Sequence, residues 1–356
     1  MRKPIISLHG SYFGNNYGDI LLEIIFARWV REQFPNSLIN LPLGRKSKAT
    51  DLDVDRTGLI NLCKSSALIF FGGGYFGERP HHKHRWAIRN FFRHAIIGII
   101  AIIFRIPYAI IGVEFGPISV SWFKKICLLI AKHARVVVVR NPESETFLKD
   151  NGIVNAIVSV DAVLSISDLY PPKSNKSMDK NIVIHCNGVH CTQQTLQYVI
   201  DTMITSLSYH FAKFHVTFVM DSSGCNYYQQ PYFSPILRLL ESRGIRYEVY
   251  EYSNCAGIIN CVQEADFVIT TKLHLGITAA ALDKRVLSLW LHNKTPRLHK
   301  QIGNSQFCVP LSSLPDGMDE LWDKFFSSSE YHLPQNIKDQ AYINKTTVIT
   351  FLSNVL

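Results

Sequence analysis

The chain has 356 residues, of which 47% are hydrophobic and 12% aromatic. This length and composition predict a globular protein of two α/β domains and exclude a disordered or fibrous chain. The formal net charge of +9 indicates anionic partners, such as phosphate donors, acidic lipids or nucleic acid. The N-terminal apolar stretch is too short for a signal peptide, and the eight cysteines include no CxxC pair. Both features favour a cytoplasmic protein with reduced thiols.

Short apolar strands alternate with helices in the first half of the chain. The predicted strands cover residues 4–9, 67–71, 108–111, 135–139 and 156–160. The predicted helices cover 19–34, 122–132 and 142–150, the first of them with Asp19 as its N-cap. Strands as apolar as the valine run at 136–139 are typical of a parallel sheet that helices cover on both faces.

A second alternating pattern follows a polar, proline-containing segment at 166–180, which we interpret as a linker. Its predicted strands cover 181–185, 215–220, 246–250, 266–269 and 285–290. The predicted fold class is therefore α/β, with two doubly wound Rossmann-like domains that face a cleft, as in GT-B proteins. The predicted domains are 1–165 and 181–335, followed by a C-terminal helix at 336–356 that packs back across them.

Residues 79–104 join a basic, aromatic stretch to the most apolar window of the chain, AIIGIIAIIF at 95–104. This window is too short to span a bilayer, which needs about 20 apolar residues. One interpretation is a helix buried in the core. The other is a peripheral contact with an anionic membrane surface, on the inner face of the cell membrane. A solvated basic helix face is a third interpretation of the part before the apolar window.

Two loops follow strands of the first predicted domain. The first contains Asn15, Asn16 and Asp19, which suit sugar hydroxyls, since an acid at a helix start would repel phosphate. An ordinary turn with an N-cap is the alternative. The second loop, Gly72–Gly74, lets the backbone approach a ligand closely. It fits neither the Walker nor the dinucleotide-binding motif.

The strongest candidate site is the strand-to-helix segment Thr270–Gly276. Lys272 and His274 lie two residues apart, so an extended turn would place both side chains on one side. The ammonium could then hold a phosphate while the imidazole moves a proton. Lys294, in the next loop, would add another positive charge or is a surface lysine.

Arg140 ends a predicted strand, and its planar guanidinium suits a carboxylate or a phosphate. An ion pair with Glu143 or Asp161 is the alternative. Metal ligands are not expected, because the pairs His185-Cys186 and His190-Cys191 have no second half with zinc-site spacing. A serine nucleophile elbow is also missing from the sequence.

The order of these motifs resembles the polysaccharide pyruvyltransferase family, over roughly residues 5–300. The matching segments are Gly14–Asp19, Gly72–Gly74, the GxGxGP-like run Gly112–Pro117, Arg140–Ser144, Asp161–Leu164, and Lys272–His274 with Lys294 downstream. Lys272 stands where the family has arginine, and Asn141 stands where an acid is common.

The resemblance implies an enzyme that moves a pyruvyl group from phosphoenolpyruvate to a sugar diol of a cell-surface polysaccharide or its lipid-linked precursor, as a cyclic ketal. No cofactor is expected besides this co-substrate, no metal-ligating residues are assigned, and no nucleic-acid partner is expected. The first domain would take the acceptor and the second the donor. The implied roles are catalysis by His274, donor binding by Arg140, Lys272, Leu273 and Lys294, acceptor binding by Asn15, Asn16, Asp19, Gly72, Gly73 and Gly74, and structural support by Glu143, Ser144 and Asp161.

Two rival functions stay open at this point. One is a GT-B glycosyltransferase that uses a nucleotide sugar, although the sequence shows no clear acidic ribose-binding motif. The other is a peripheral scaffold that has lost catalysis. This alternative is considered because Lys272 replaces the arginine of the family.

Overall fold

The computed structural model describes most of the chain, in nine ranges. They are residues 3–13, 16–44, 54–78, 81–173, 179–185, 193–221, 233–290, 294–311 and 318–356. The chain divides into two compact units, Met1–Ala162 together with Asp339–Leu356, and Val163–Lys338. The domain limits proposed in the sequence analysis stay predictions.

The first unit contains a seven-stranded, wholly parallel sheet. Its strands are β1 (Ile5–His9), β2 (Leu38–Leu41), β3 (Arg56–Thr57), β4 (Ala67–Phe71), β5 (Tyr108–Val113), β6 (Val136–Val139) and β7 (Ile157–Val158). The strand order is β3-β2-β1-β4-β5-β6-β7. Every residue of β1, β4 and β5 is buried, as continuous apolar runs predict for strands covered on both faces.

The α-helices in residues 1–162 of this unit are α1 (Tyr17–Gln33), α2 (Leu59–Leu62), α3 (Lys83–Asn90), α4 (Ile96–Ile103), α5 (Ser121–His133) and α6 (Pro142–Lys149). The prediction that Asp19 caps α1 is wrong. Asn16 is the N-cap, because its side-chain oxygen accepts a hydrogen bond from the Gly18 N–H at 3.2 Å. Asn141 caps α6 in the same way, through the Ser144 N–H at 2.9 Å.

Helices α3 and α4 are joined by a π-helical turn, Phe91–Ala95. The three pieces form one continuous helix, Lys83–Ile103, of 21 residues. The expectation that the apolar run is too short to span a bilayer counted only residues 95–104, whereas the helix continues through the preceding basic stretch. Among the described residues it is the one helix long and apolar enough to cross a membrane, judged by length and composition only.

The second unit contains a six-stranded parallel sheet with the order β10-β9-β8-β11-β12-β13. The strands are β8 (Lys180–His185), β9 (Phe214–Val219), β10 (Arg246–Tyr250), β11 (Phe267–Thr270), β12 (Arg285–Trp290) and β13 (Cys308–Pro310). The helices are α7 (Gln193–His210), α8 (Phe233–Ser242), α9 (Cys255–Glu264), α10 (Leu273–Ala281), α11 (Lys294–Gln301) and α12 (Met318–Phe326). Both units are therefore doubly wound α/β domains, as predicted.

The last helix, α13 (Gln335–Val355), returns the chain to the first unit. Asn344 Nδ2 donates to Ser159 Oγ at 2.9 Å and to the Val160 carbonyl at 3.0 Å. Ser159 Oγ in turn donates to the Gln340 carbonyl at 2.7 Å. These buried hydrogen bonds fix α13 on the chain just after β7.

Candidate functional site

In each sheet, the strand order reverses direction at one point. In the first unit this switch point lies between β1 and β4, and in the second it lies between β8 and β11. Ligands of doubly wound sheets bind outside the carboxyl ends of the strands at this place, because neighbouring loops there turn to opposite faces. The residues that follow β8, β9 and β11 are therefore the first candidates in the second unit.

Three charged or titratable side chains meet at the switch point of the second unit. Lys272 Nζ lies 2.6 Å from Asp221 Oδ2, and His185 Nε2 lies 3.4 Å from Asp221 Oδ1. His185 Nδ1 lies 3.4 Å from Thr271 Oγ1. Sequence reasoning singled out Lys272 but missed Asp221, and it considered His185 only as a metal ligand. An acid or histidine at or just beyond the carboxyl end of a buried strand was the signal that could have found both.

The carboxyl group of Asp221 is nearly buried, with a side chain 9% exposed. Burial alone would raise its pKa, but His185 and Lys272 together hold the pKa well below the ordinary value. Asp221 is therefore ionised at neutral pH and fixes the ammonium of Lys272 at the end of the strand. Lys272 itself is partly exposed, so the ammonium is accessible from solvent.

His274 lies in the first turn of α10, which begins at Leu273. The predicted extended turn from Lys272 to His274 is wrong. The Lys272 N–H donates to Thr270 Oγ1 at 2.8 Å, and its carbonyl accepts the Gly276 N–H at 3.1 Å, so the helix starts directly after Lys272. The backbone N–H groups of a first helical turn, together with the helix dipole, favour an anion. Lys272 and His274 both lie at this positive end.

The remaining residues proposed for the donor have different positions. Leu273 is the first residue of α10 and is partly buried. Lys294 is exposed and begins α11, whereas the sequence analysis placed it in a loop. Cys186, His190 and Cys191 lie outside the described residues. Within the described ranges, no group of three or more His, Cys, Asp or Glu side chains could hold a metal ion.

Arg140 belongs to the first unit and forms a buried double ion pair. Its Nη2 donates to Glu114 Oε2 at 2.6 Å, and its Nη1 donates to Asp161 Oδ2 at 2.9 Å. Burial would lower the pKa of Arg140, but the two carboxylates raise it above the ordinary value. The ion pair with Asp161 is one of the two alternatives that the sequence left open. Glu143, the other expected partner, is exposed, and the sequence analysis did not identify Glu114 as a partner. A donor contact for Arg140 stays a prediction.

The Gly72–Gly74 loop packs against the segment that carries Glu114. The Glu114 N–H donates to the Gly73 carbonyl at 2.9 Å, and the Phe115 N–H donates to Ser144 Oγ at 2.9 Å. Gly72 and Gly73 have φ values of +44° and +81°, which side chains rarely adopt. A Cβ atom at Gly72 would also lie 2.7 Å from the Leu22 side chain. Turn geometry and packing thus account for two of the three glycines.

The predicted acceptor residues of the first loop are only partly described. Asn15 lies outside the described residues, Asn16 is the N-cap of α1, and Asp19 lies in the first turn of that helix. A turn with an N-cap, the alternative to an acceptor site, is therefore what the structure has at Asn16. Contacts of these residues with an acceptor stay a prediction.

A buried histidine pair, which the sequence analysis did not identify, lies at the switch point of the first unit. His9 ends β1, and its Nε2 lies 3.1 Å from Nδ1 of His94, in the π-helical turn. His9 Nδ1 lies 2.9 Å from the Tyr12 hydroxyl, and the Tyr75 ring stacks on His94. Burial lowers the pKa of His9 to about 3 and that of His94 well below its ordinary value, so both rings are neutral at pH 7.

Residues 16–293 match the profile of the family described as Polysaccharide pyruvyl transferase. The chain belongs to this family. The match begins after β1 and covers β2 to β12, and it includes Arg140, Lys272 and His274. This pyruvyltransferase-family protein is therefore expected to be a transferase in polysaccharide biosynthesis. No curated relative matches its sequence significantly.

Solved structures resemble the pyruvyltransferase-family protein over nearly its whole length. The UDP-GlcNAc 2-epimerase of Methanocaldococcus jannaschii matches with a TM-score of 0.66 at 11% identity, covering 99% of this chain and 100% of that chain. The Neisseria meningitidis UDP-GlcNAc 2-epimerase, bound to UDP-GlcNAc, matches with 0.63 at 11% identity, covering 99% and 100%. At identities this low, the similarity shows the fold alone. The shared fold confirms the predicted GT-B-like α/β class.

Proposed function

We propose that the protein transfers the pyruvyl group of phosphoenolpyruvate to two hydroxyls of one sugar, forming a cyclic ketal. The sugar belongs to a cell-surface polysaccharide or its lipid-linked precursor, and the reaction takes place in the cytoplasm. Membership of the pyruvyltransferase family supports the transferase class. The observation that carries the proposal is the ammonium of Lys272, held by Asp221 beside the N-terminus of α10, with His274 in the first turn.

Phosphoenolpyruvate carries a carboxylate and a phosphate, so its site must supply positive charge from more than one direction. Lys272 would supply a full charge, and the first turn of α10 would supply partial charges on N–H groups. Asp221 lies behind Lys272, which already neutralises its charge. Because Lys272 is partly exposed, its ammonium can contact an anion without leaving Asp221.

The proposed reaction begins with proton transfer to the methylene carbon of the donor, which becomes a methyl group. The adjacent carbon gains oxocarbenium character, and a sugar hydroxyl oxygen bonds to it and loses its proton. The carbon–oxygen bond to phosphate then breaks, and phosphate leaves with the electron pair. A second hydroxyl bonds to the same carbon and loses its proton, which closes the ketal.

His274 is the proposed proton donor for the methylene carbon or a ligand of the departing phosphate. The second role fits the first turn of α10, because a helix N-terminus stabilises the negative charge that develops on phosphate. Lys272 has the charge of the family's arginine but binds as a single point rather than through a planar fork. Asn16, Asp19 and the Gly72–Gly74 loop are proposed to contact the acceptor.

A nucleotide-sugar transferase is the second candidate function. Enzymes with this fold include one that binds UDP-GlcNAc and an anthocyanidin 3-O-glucosyltransferase in complex with UDP, so the fold is compatible with a nucleotide-sugar donor. A scaffold without catalysis is the third candidate. These three functions differ in which donor the protein consumes.

One experiment separates the candidates. Purified protein is mixed with phosphoenolpyruvate and a panel of galactosides and other sugar diols, and phosphate release and proton NMR are followed. We expect stoichiometric phosphate release and a new ketal methyl signal. Sugar transfer from UDP-sugars, with no ketal, would support the second candidate, and glycan binding without either activity would support the third.

The matched control for this assay is a pair of histidine variants. His274→Ala should lower kcat by roughly 100-fold to 10,000-fold, the range typical of general acid catalysis. His84→Ala, at an exposed position of α3, should leave kcat unchanged. Near-normal turnover by the His274 variant would contradict the role proposed for the imidazole.

A further inference from the structure

The positive charge of the protein is concentrated in one segment of the first unit. Residues 79–142 contain eleven Lys and Arg residues and one acid, Glu114, so the segment carries a formal charge of +10. The whole chain carries +9. Glu114 is buried and ion-paired with Arg140, so it does not offset charge at the surface. The rest of the protein is nearly neutral.

Helix Lys83–Ile103, which lies in this segment, has two faces of different character. The inner face is buried and includes Asn90, His94 and Ala101, with the His94 ring hydrogen-bonded to His9 in the sheet. The outer face exposes large apolar side chains, with Ile88 53%, Phe92 63% and Ile103 68% exposed. A helix whose inner face is part of a folded core does not span a bilayer, but its outer face can lie on one.

Helix α5 extends the outer face sideways. Trp122 and Leu129 lie on it and are 41% and 45% exposed. The Phe91 ring connects the two helices, because its centroid lies 5.9 Å from the Trp122 ring and 5.1 Å from the Phe92 ring. We call this surface the basic apolar face; its apolar members are Ile88, Phe91, Phe92, Ile103, Trp122 and Leu129.

Cations occupy the same two helices and the turn after α4. The exposed ones are Lys83, Arg85, Arg89, Arg93, Arg105, Lys125 and Lys132. The neighbouring acid Glu78 accepts hydrogen bonds from Ser119 and lies 3.0 Å from Lys83 Nζ, so it is already neutralised. Exposed aromatic and aliphatic groups surrounded by cations match the chemistry of an anionic bilayer surface, with apolar side chains in the acyl boundary and cations among the headgroups.

We infer that the basic apolar face docks the protein on an anionic lipid bilayer. A second copy of the chain is a poor occupant, because two faces of the same charge would repel each other. Nucleic acid would use the cations and aromatic rings but would leave Ile88, Ile103 and Leu129 in contact with water. A bilayer uses both kinds of group.

The inference deepens the proposed function and rests on it in one respect: docking would bring the enzyme to an acceptor carried on a lipid. Binding to the bilayer itself does not depend on the reaction. A failure of vesicle binding with normal ketal formation on a soluble sugar would therefore refute the docking alone. Vesicle binding without ketal formation would refute the proposed function alone.

The test measures co-sedimentation of the full chain with vesicles of phosphatidylcholine, with and without phosphatidylglycerol. We expect binding to the mixed vesicles that weakens strongly as salt is raised, and little binding to phosphatidylcholine alone. Equal binding to both kinds of vesicle, or binding to neither, would overturn the inference.

Two pairs of variants locate the surface. Arg85→Glu/Lys125→Glu should lower the partition coefficient by roughly 30-fold or more, since each cation near an anionic surface contributes strongly to binding. Lys213→Glu/Lys324→Glu makes the same charge change at exposed positions of the second unit and should have a small effect. Equal losses from both double variants would show that only net charge matters and would overturn the inference.

The apolar contribution is tested by Phe92→Ser/Trp122→Ser, with Tyr209→Ser as an exposed control, 84% exposed on α7. We expect the double variant to lose roughly tenfold or more in binding and the control to lose little. Unchanged binding by the double variant would contradict insertion of the face. Competition by a short DNA duplex that removes all vesicle binding, or a dimer in size-exclusion chromatography that the double variant abolishes, would point to another occupant and overturn the inference.

Discussion

The ammonium of Lys272 lies 2.6 Å from the carboxylate of Asp221, and the two residues come from different strand ends, after β11 and after β9. A lysine has a long flexible side chain, and restricting it costs conformational entropy. The buried, ionised carboxylate supplies the attraction that offsets this cost. Asp221 therefore pre-positions the cation that we assign to the donor.

Replacing Lys272 by methionine should raise KM for phosphoenolpyruvate by roughly 10-fold to 100-fold. The reason is the loss of one charge-assisted contact, worth about 1.5–3 kcal/mol. Steady-state kinetics measure the effect, with Lys324→Met on α12 as an exposed control. Lys272→Arg should keep most of the affinity, because the charge remains. An unchanged KM in the methionine variant would remove Lys272 from the donor site.

Replacing Asp221 by asparagine should lower the free energy of unfolding by about 1–3 kcal/mol at pH 7, because two cationic or hydrogen-bonding partners lose their counter-charge. The folded-state pKa of Asp221 lies below its ordinary value, so its contribution is present at neutral pH and is lost as the pH falls below that ordinary value. Urea unfolding at neutral and acidic pH checks this. The difference in free energy of unfolding between wild type and variant should shrink at acidic pH. A difference that does not change with pH would contradict an ionised Asp221 paired with Lys272.

Replacing Arg140 by methionine should destabilise the first unit by about 3–5 kcal/mol, since Glu114 and Asp161 would remain buried without a cation. Arg135→Met, at an exposed position of the same unit, should change stability little. Thermal and urea unfolding measure both variants. A large rise in KM for the donor at unchanged stability would instead support the donor contact inferred from the sequence.

The buried histidine pair should make the first unit acid-sensitive. His9 has a folded-state pKa of about 3 and an unfolded value near 6.5, so the unfolded chain takes up a proton first as the pH falls. Stability should therefore decrease between pH 6.5 and about 3, by about 1.4 kcal/mol per pH unit from His9. His94, whose pKa is also lowered by burial, contributes in the same direction. The decrease is measured as urea unfolding at several pH values.

The matching variant for this effect is His9→Gln/His94→Gln, which removes both titrating groups. Its stability should fall less steeply than wild type between neutral and acidic pH, even if it is lower at pH 7. His84→Gln, at an exposed position, should follow the wild-type profile. Parallel profiles for all three proteins would show that the buried pair does not take part in acid unfolding.

Much of the site near α10 was predictable because it is local. Thr270, Lys272 and His274 occur within five residues after an apolar strand, and short range makes such a cluster visible in the sequence. Its conformation was predicted wrongly, because the Thr270 hydroxyl accepts the Lys272 N–H and lets the helix begin at once. The N-cap of α1 was also predicted wrongly, as Asp19, whereas the structure has Asn16 at this position.

The partners of these residues could not be predicted. His185 ends β8 and Asp221 follows β9, and both strands are distant from β11 along the chain. These residues meet Lys272 only because the sheet places β9, β8 and β11 side by side. His9 and His94 are 85 residues apart, and a π-helical turn brings them together. Neither pairing leaves a spacing pattern in the sequence.

The amino-acid sequence alone determined the two α/β halves, the basic segment and the family, because apolar periodicity, charge and motif order are properties of neighbouring residues. Only the tertiary structure decided which charges neutralise one another. That outcome depends on strand order and burial, which bring distant residues within ion-pair distance and remove the water that would otherwise screen them.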